Sequence, residues 1–259
     1  TGSTVNHVIF RTFIKGTTLW LLGINGKDTM KKWAGDVTTP TVYALAGGSP
    51  PIAKTMAVAF DRLLLGNLLS GGTISPLAVD SSSLNDFEAG WGTNTTLLAD
   101  TEGEIVCLME MGNLQTVIYK TDAIYMAYAQ GALAPFRYEL KQAGISGPVS
   151  PRAVVRLSNG VHAYLALSGE VMLFDGVSAR ALGKPQNNHI QKYVLDSADR
   201  NLMNKSWGWN DNEHMEAGFY YPLAGSTDPD RGIIVRMGDE TLWPVSGTQG
   251  SATPAGGKI

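Results

Sequence analysis

The clearest alternation of apolar and polar positions runs from Ala153 to Gly176, AVVRLSNGVHAYLALSGEVMLFDG. It predicts three short strands, Ala153 to Leu157, Val161 to Leu167 and Glu170 to Phe174, joined at Asn159-Gly160 and Ser168-Gly169. Asn-Gly predicts a type I′ hairpin, because both central positions of that turn need positive φ, which Asn tolerates and Gly adopts freely. In the middle strand Val161, Ala163, Leu165 and Leu167 point one way and His162, Tyr164 and Ala166 the other. Neither side reads as a water face, so a covering layer is expected on each. With little helix predicted to supply it, sheet must stack on sheet.

The same period-2 pattern predicts strands along most of the chain. Val8 to Phe13, Thr17 to Leu22 and Met30 to Trp33 come first, with a turn at Gly23 to Gly26. Gly47 to Pro51 breaks regular structure, since consecutive prolines donate nothing to a ladder. Thr55 to Phe60, Arg62 to Leu65 and Ile74 to Asp80 follow, and Ser81 to Asp100 reads as a long surface connection containing Asp86, Phe87 and Trp91. A second meander comprises Glu104 to Met109, Leu114 to Tyr119 and Ala123 to Ala129, with turns at Gly112-Asn113 and Lys120 to Asp122; Phe136 to Leu140 extends it. Asn187 to Asn204 is the one helix candidate, with Ile190, Tyr193 and Val194 near helical spacing. Lys205 to Trp209, His214 to Tyr221, Ile233 to Met237 and Glu240 to Val245 end the ordered pattern, with a loop at Gly225 to Arg231.

These meanders recur roughly every 40 to 50 residues, the spacing of propeller blades with four strands each. A propeller of about five blades satisfies two-faced strands, because each blade is pressed between neighbours and exposes only short edges. The expected class is therefore all-β, a β-propeller over residues 1–246 with a flexible Gly/Ser/Thr-rich tail over 247–259. A β-sandwich of two larger sheets is the alternative.

Composition narrows the functional classes. Charged residues make up 17% of the 259 and the net charge is −3, so the molecule as a whole has no electrostatic attraction for nucleic acid or an anionic membrane. No apolar run approaches the ~18 residues of a membrane span, and the N-terminal residues lack the order of a signal peptide. Cys107 is the single cysteine, which excludes an intramolecular disulfide and a cysteine-based zinc cluster. Its setting in IVCLM predicts a buried, inert thiol in a chain made in a reducing cytoplasm.

Candidate chemistry is sparse. The chain has no nucleophile elbow, no phosphate loop, no H-E-x-x-H and no dinucleotide fingerprint, so no catalytic, cofactor or metal residue is assigned. His7, His162, His189 and His214 are scattered singly. Asp211, Glu213 and Glu216 around His214 form the best acidic group, and turn formers fill hairpins with the same residue types for backbone reasons alone. Ser226 to Gly232 matches the start of a calcium loop poorly, with Pro229 inside it. Trp207, Trp209, Phe219, Tyr220 and Tyr221 lie on two adjacent predicted strands and could form a protein interface or a glycan-stacking platform, about half of them being core. Pro135 to Tyr138 carries the same ambiguity.

Several phrases, in order, carry a resemblance: Asp61-Arg62-Leu63, Asp86-Phe87 after Ser81 to Ser83, Gly103-Glu104-Ile105, Lys120 to Tyr125, Gly144 to Ser150, and the meander Tyr164 to Gly176. Over roughly residues 55 to 180 this series is similar to the propeller core of phage tail nozzle and tail tubular B proteins. The resemblance implies a non-enzymatic structural protein of the virion tail, made in the host cytoplasm. It implies a ring of copies that contacts an adaptor or portal and takes part in tail assembly and genome ejection. The alternative is a propeller that binds or cleaves carbohydrate at the host surface, with Trp207, Trp209, Tyr220 and Tyr221 as stacking groups and Asp211, Glu213 or Glu216 as carboxylates.

Overall fold

A computed structural model describes residues 8–35, 43–44, 49–112, 114–131, 135–183 and 186–246. The expected tail, residues 247–259, lies outside them, as do Asn113 of the expected Gly112-Asn113 turn and His7. The described strands form five antiparallel sheets of four strands, each a meander of consecutive strands, so the all-β class holds and two broad sheets do not form. The chain divides into two compact units, Thr1–Gly147 and Pro148–Ile259, with the boundary inside the glycine-rich junction Gly144 to Ser150.

In the first unit, sheet one is β1 (Ile9–Lys15), β2 (Thr18–Ile24), β3 (Lys31–Trp33) and β4 (Tyr43–Ala44). Sheet two is β5 (Ile52–Ala59), β6 (Arg62–Ser70), β7 (Thr73–Ser81) and β8 (Thr96–Leu97). Sheet three is β9 (Ile105–Glu110), β10 (Gln115–Lys120), β11 (Ala123–Ala129) and β12 (Phe136–Ala143). The Leu-rich strand β6 shows why these sheets stack. Leu63 and Leu65 join Phe13, Leu22 and Met56 in the core shared with sheet one, while Leu64 joins Ile105, Leu108 and Ile118 in the core shared with sheet three. Each fully buried leucine contributes roughly 1.5–3 kcal/mol, so a strand apolar on both faces is stable only between two layers.

In the second unit, sheet four is β13 (Val154–Arg156), β14 (His162–Leu165), β15 (Val171–Phe174) and β16 (Ala179–Ala181). Sheet five is β17 (Trp207–Asp211), β18 (Glu216–Pro222), β19 (Pro229–Arg236) and β20 (Thr241–Ser246). Helix α1 (Gln186–Ser197) lies between them in sequence, and its Ile190 and Val194 join Val155, Leu165, Phe219 and Ile233 in one core.

Four local expectations are corrected. The helix stops at Ser197 and does not reach Asn204, because the following residues pair with the end of sheet five: the Asp199 amide donates to the Pro222 carbonyl and the Ala224 amide to the Ser197 carbonyl. The turn at Asn159-Gly160 is not type I′. Only Gly160 has positive φ (82°); the Gly160 amide donates to the Leu157 carbonyl and the Leu157 amide to the Val161 carbonyl, a type I turn followed by a glycine bulge. Pro229 opens β19, where the Gly225 to Arg231 loop was expected to continue. A proline is tolerated at the first residue of a strand, where its missing N–H breaks no ladder.

The fourth concerns Ser81 to Asp100, which does run along the surface but is anchored by buried residues and carries the short strand β8. Buried Asp80 accepts hydrogen bonds from the Ser81 and Gly92 amides, both at 2.8 Å, and Phe87 and Leu98 are buried. This segment is a strap. Its Phe87 ring meets Phe13 and Trp20 edge-on, while Asp86 and Glu88 pair with Lys15 at 2.5 and 2.9 Å, and Glu88 with Lys32 at 2.6 Å.

Candidate functional site

Strand parity sorts the aromatic candidates. Trp207 pairs with Tyr220 and Trp209 with Gly218 across β17 and β18, so Trp207, Trp209 and Tyr220 share one face of sheet five. Phe219 and Tyr221 point the other way and are buried in the core of the second unit, which removes them from any surface contact. The Tyr221 hydroxyl sits 3.3 Å from Ser197 Oγ, and burial pushes its pKa up to about 12.

The three outward rings lie flat on the sheet. Trp207 stacks on Tyr220 with centroids 4.9 Å apart and planes 15° from parallel. Trp209 covers Gly218, where a Cβ would collide with the indole, and Tyr220 covers Gly232, where a Cβ would stand 3.0 Å from the ring. Pairing through β19 and β20 brings Ile234, Arg236 and Trp243 onto the same face. Trp243 is 39% exposed, with the Arg236 guanidinium 5.0 Å from its ring and Glu216 3.3 Å from Arg236. Sequence reasoning missed Trp243, although its period-2 spacing with Thr241 and Val245 was a usable signal.

Sheet one has a second bare face. Phe10, Thr12 and Ile14 on β1 pair with Gly23, Leu21 and Leu19 on β2, and Lys31 and Trp33 continue the face on β3. Phe10 is 56% exposed, Ile14 64% and Leu19 57%, whereas the intervening Ile9, Phe13 and Leu22 are buried. Phe10 lies over Gly23, whose Cβ would stand 3.1 Å from the ring. Strand β1 has β2 as its only strand partner among the described residues, so it is also an edge.

The acidic group resolves into a turn. Asp211 Oδ1 accepts from the Glu213 and His214 amides at 2.9 and 3.2 Å, and Asp211 Oδ2 lies 2.7 Å from His214 Nδ1. Glu213 is exposed and Glu216 is engaged by Arg236. No group of three metal-ligating side chains occurs among the described residues. The hydrogen bond from His214 is the first cause holding the Asp211 carboxyl below its usual range, and the same bond raises His214. A raised histidine contributes stability below its unfolded pKa and loses it as pH rises through the folded value. A depressed aspartate contributes above its unfolded pKa and loses it as pH falls through the folded value. The pair is therefore strongest between the two folded values. In Asp211→Asn, His214 should titrate at a lower pH than in the wild type, followed by its imidazole NMR shifts; an unmoved midpoint refutes the pairing.

The remaining sequence candidates lie on separate elements. His162 is buried in β14 and His189 is exposed on α1. Burial pushes the Cys107 thiol up to about 12, which leaves no thiolate near neutral pH. Asp230, in the calcium-loop-like stretch, accepts from the Leu223 amide at 3.0 Å. In the Pro135 to Tyr138 stretch, Phe136 is buried and Arg137 stacks over Tyr128 at 5.1 Å. A depression of about 200 Å³ in the second unit is floored by Leu157, Val161 and Met237, and its charges Arg180 and Glu240 satisfy each other at 2.5 Å.

The phrases that carried the resemblance act as fasteners. Phe60 and Asp61 form a two-residue turn with φ of 52° and 50°, buried Arg62 donates to the Ser82 carbonyl, and Leu63 and Ser82 exchange hydrogen bonds. Lys120 is fully buried and donates to the carbonyls of Leu98 and Thr101, both at 2.7 Å; desolvation lowers its pKa. Gly103 and Gly147 approach the turn at Thr121 and Asp122 so closely that neither has room for a Cβ. Ser150 caps the short 3₁₀ turn Pro151–Ala153 by accepting from the Arg152 amide. Of these phrases only the meander Tyr164 to Gly176 reaches the depression in the second unit, through Leu173 and Asp175.

Among the described residues, no helix is long and apolar enough to cross a membrane. No protein-family model and no curated protein matches this chain.

Proposed function

We propose that this chain is a non-catalytic structural subunit of a bacteriophage virion, its five meanders forming the blades of a propeller-like module of the tail nozzle and tail tubular B type. In this reading copies assemble into a ring in the tail, next to an adaptor or portal, and serve tail assembly and genome ejection. The observation that carries the reading is the succession of five four-stranded meanders in which the family-like phrases hold turns to straps. The weak overall charge and the two bare sheet faces are in keeping with a subunit that is covered by neighbours. Quantitative mass spectrometry and imaging of purified particles test it. The chain is expected at a fixed stoichiometry in a ring of the tail; trace amounts, or none, would end the proposal.

A second reading is favoured by the flat rings of sheet five: Trp207, Trp209, Tyr220 and Trp243 offer the stacking surface that pyranose rings recognise. Glycan-cleaving chemistry gains nothing from Asp211 and Glu216, which are committed to His214 and Arg236. A glycan array probed with wild type and Trp243→Ala decides this reading. It survives on hits that weaken at least tenfold in the variant and fails if no glycan binds.

A further inference from the structure

We infer that the layer between sheets two and three holds a small monovalent anion of halide size, received by Arg62, Ser81 and Thr116. The site lies wholly within the first unit and does not depend on the virion reading above.

Strand parity brings the three side chains into one layer. Leu64, Val79 and Ile118 belong to the core that sheets two and three share. Arg62 stands two residues before Leu64 on β6, Ser81 two after Val79 on β7, and Thr116 two before Ile118 on β10, so all three point into that same layer. They also stand near one end of it. Leu64 pairs with Ser81, which makes Arg62 a diagonal neighbour of Ser81. On sheet three Thr116 pairs with Glu110, and Glu110 accepts from the Val58 amide at 2.9 Å, which sets this row level with the turn between β5 and β6.

What these groups lack is partners. Arg62 is 5% exposed, and Ser81 and Thr116 are fully buried. Arg62 Nη1 donates to the Ser82 carbonyl at 2.7 Å, but Arg62 Nε, Ser81 Oγ and Thr116 Oγ1 are closed off from solvent with no hydrogen-bond partner among the described residues. Burial alone acts on the guanidinium and lowers its pKa, with no described carboxylate placed to offset it. A buried charge without a counter-charge is strongly destabilising, and orphaned hydroxyls beside it add their own desolvation cost. One anion accepting from the guanidinium and both hydroxyls removes all of these costs together. A water molecule in its place would satisfy the hydrogen bonds and leave the charge.

Charge and size select the kind of anion. One guanidinium balances one negative charge, and a phosphate dianion would leave a buried excess. The neighbouring carboxylates are engaged elsewhere. Glu110 pairs with Arg11 at 2.9 Å, and Asp80 faces the opposite side of β7 with Ala78, accepting from the Ser81 and Gly92 amides. Ala59 and Ala127, the cross-strand partners of Arg62 and Thr116, present only a methyl group each, whereas Leu64 and Ile118 beside them close the layer to anything as large as an organic anion.

The test is thermal unfolding of the full chain in chloride, with gluconate as the reference anion at equal ionic strength, and crystallography in bromide. Wild type should melt about 3 °C higher in chloride, the gain growing with the logarithm of chloride concentration. Bromide should give an anomalous peak in contact with Arg62 Nε. Thr116→Val keeps the shape of the side chain and removes one donor, so it should melt no lower than wild type in gluconate and lose at least half of the chloride gain. Arg62→Met should lose the gain completely; should it fail to fold, Thr116→Val combined with Ser81→Ala takes its place with the same expectation. Equal midpoints in the two anions, a chloride gain that persists in Thr116→Val, or a bromide crystal with no peak at Arg62 overturns the inference. Whether the chain is found in phage particles bears on none of these outcomes.

Discussion

Gly147→Ala is expected to lower stability by about 3 kcal/mol, among the largest effects of any single methyl group added to this chain. The Gly147 amide donates to the Thr121 carbonyl at 3.0 Å, and a Cβ at this position would fall inside the Lys120 carbonyl oxygen, with the Thr121 Cα only 3.0 Å away. Those are backbone atoms, and they cannot retreat cheaply. The Lys120 side chain is tied to two carbonyls, and the Thr121 amide donates to the Glu104 carbonyl. Gly144 makes the contrast: its φ is 71° but nothing lies within 4 Å of the point where a methyl group would stand, so Gly144→Ala should cost only the left-handed backbone term, about 1 kcal/mol. Chemical denaturation of both variants, with hydrogen exchange at the Ile145 and Gly147 amides, measures the difference. Equal losses in the two variants would refute the close-approach explanation.

Phe87→Ala is expected to cost about 4 kcal/mol and to free the strap between Ser82 and Thr95 before the sheets unfold. The ring is fully buried, with Phe13 at 5.3 Å and Trp20 at 6.0 Å in edge contacts and Lys15 Nζ 5.4 Å from its centroid. Removing it opens a cavity under the strap, and the pairs that Asp86 and Glu88 make with Lys15 and Lys32 do not replace the apolar contact that the ring supplied. Asp86→Ala should accordingly cost under about 1 kcal/mol. Hydrogen exchange distinguishes the two. In Phe87→Ala the Ser83 amide, which donates to the Ala89 carbonyl at 2.8 Å, should lose protection at least tenfold, whereas in Asp86→Ala it should change little. Protection retained in Phe87→Ala would show that Asp80 and the ion pairs suffice to hold the strap.

Both positions stand in phrases legible in the sequence, Asp86-Phe87 and Gly144 to Ser150, but their physical roles were not. A Phe in a polar, glycine-rich stretch reads as a surface residue until the partners that enclose it are known. Of the five aromatic candidates, Trp207, Trp209 and Tyr220 form an outward platform while Phe219 and Tyr221 fill the core. Adjacent residues on one strand always separate this way, and the sequence of β18 alone, apolar at five successive positions from Ala217, does not say which set faces out.

What the sequence determined by itself was local: alternation, turn residues at regular intervals and strands greasy on both sides, which favour consecutive small meanders over two larger sheets. These follow from backbone sterics and side-chain parity within a few residues, so they can be read without knowing what lies opposite. Only the tertiary structure decided that the strap at Ser81 to Asp100 is folded in, that Trp243 joins the aromatic face across three strands, and that sheets one and five each keep one face bare. Burial is a property of two surfaces brought together, and a single strand carries the pattern of only one of them.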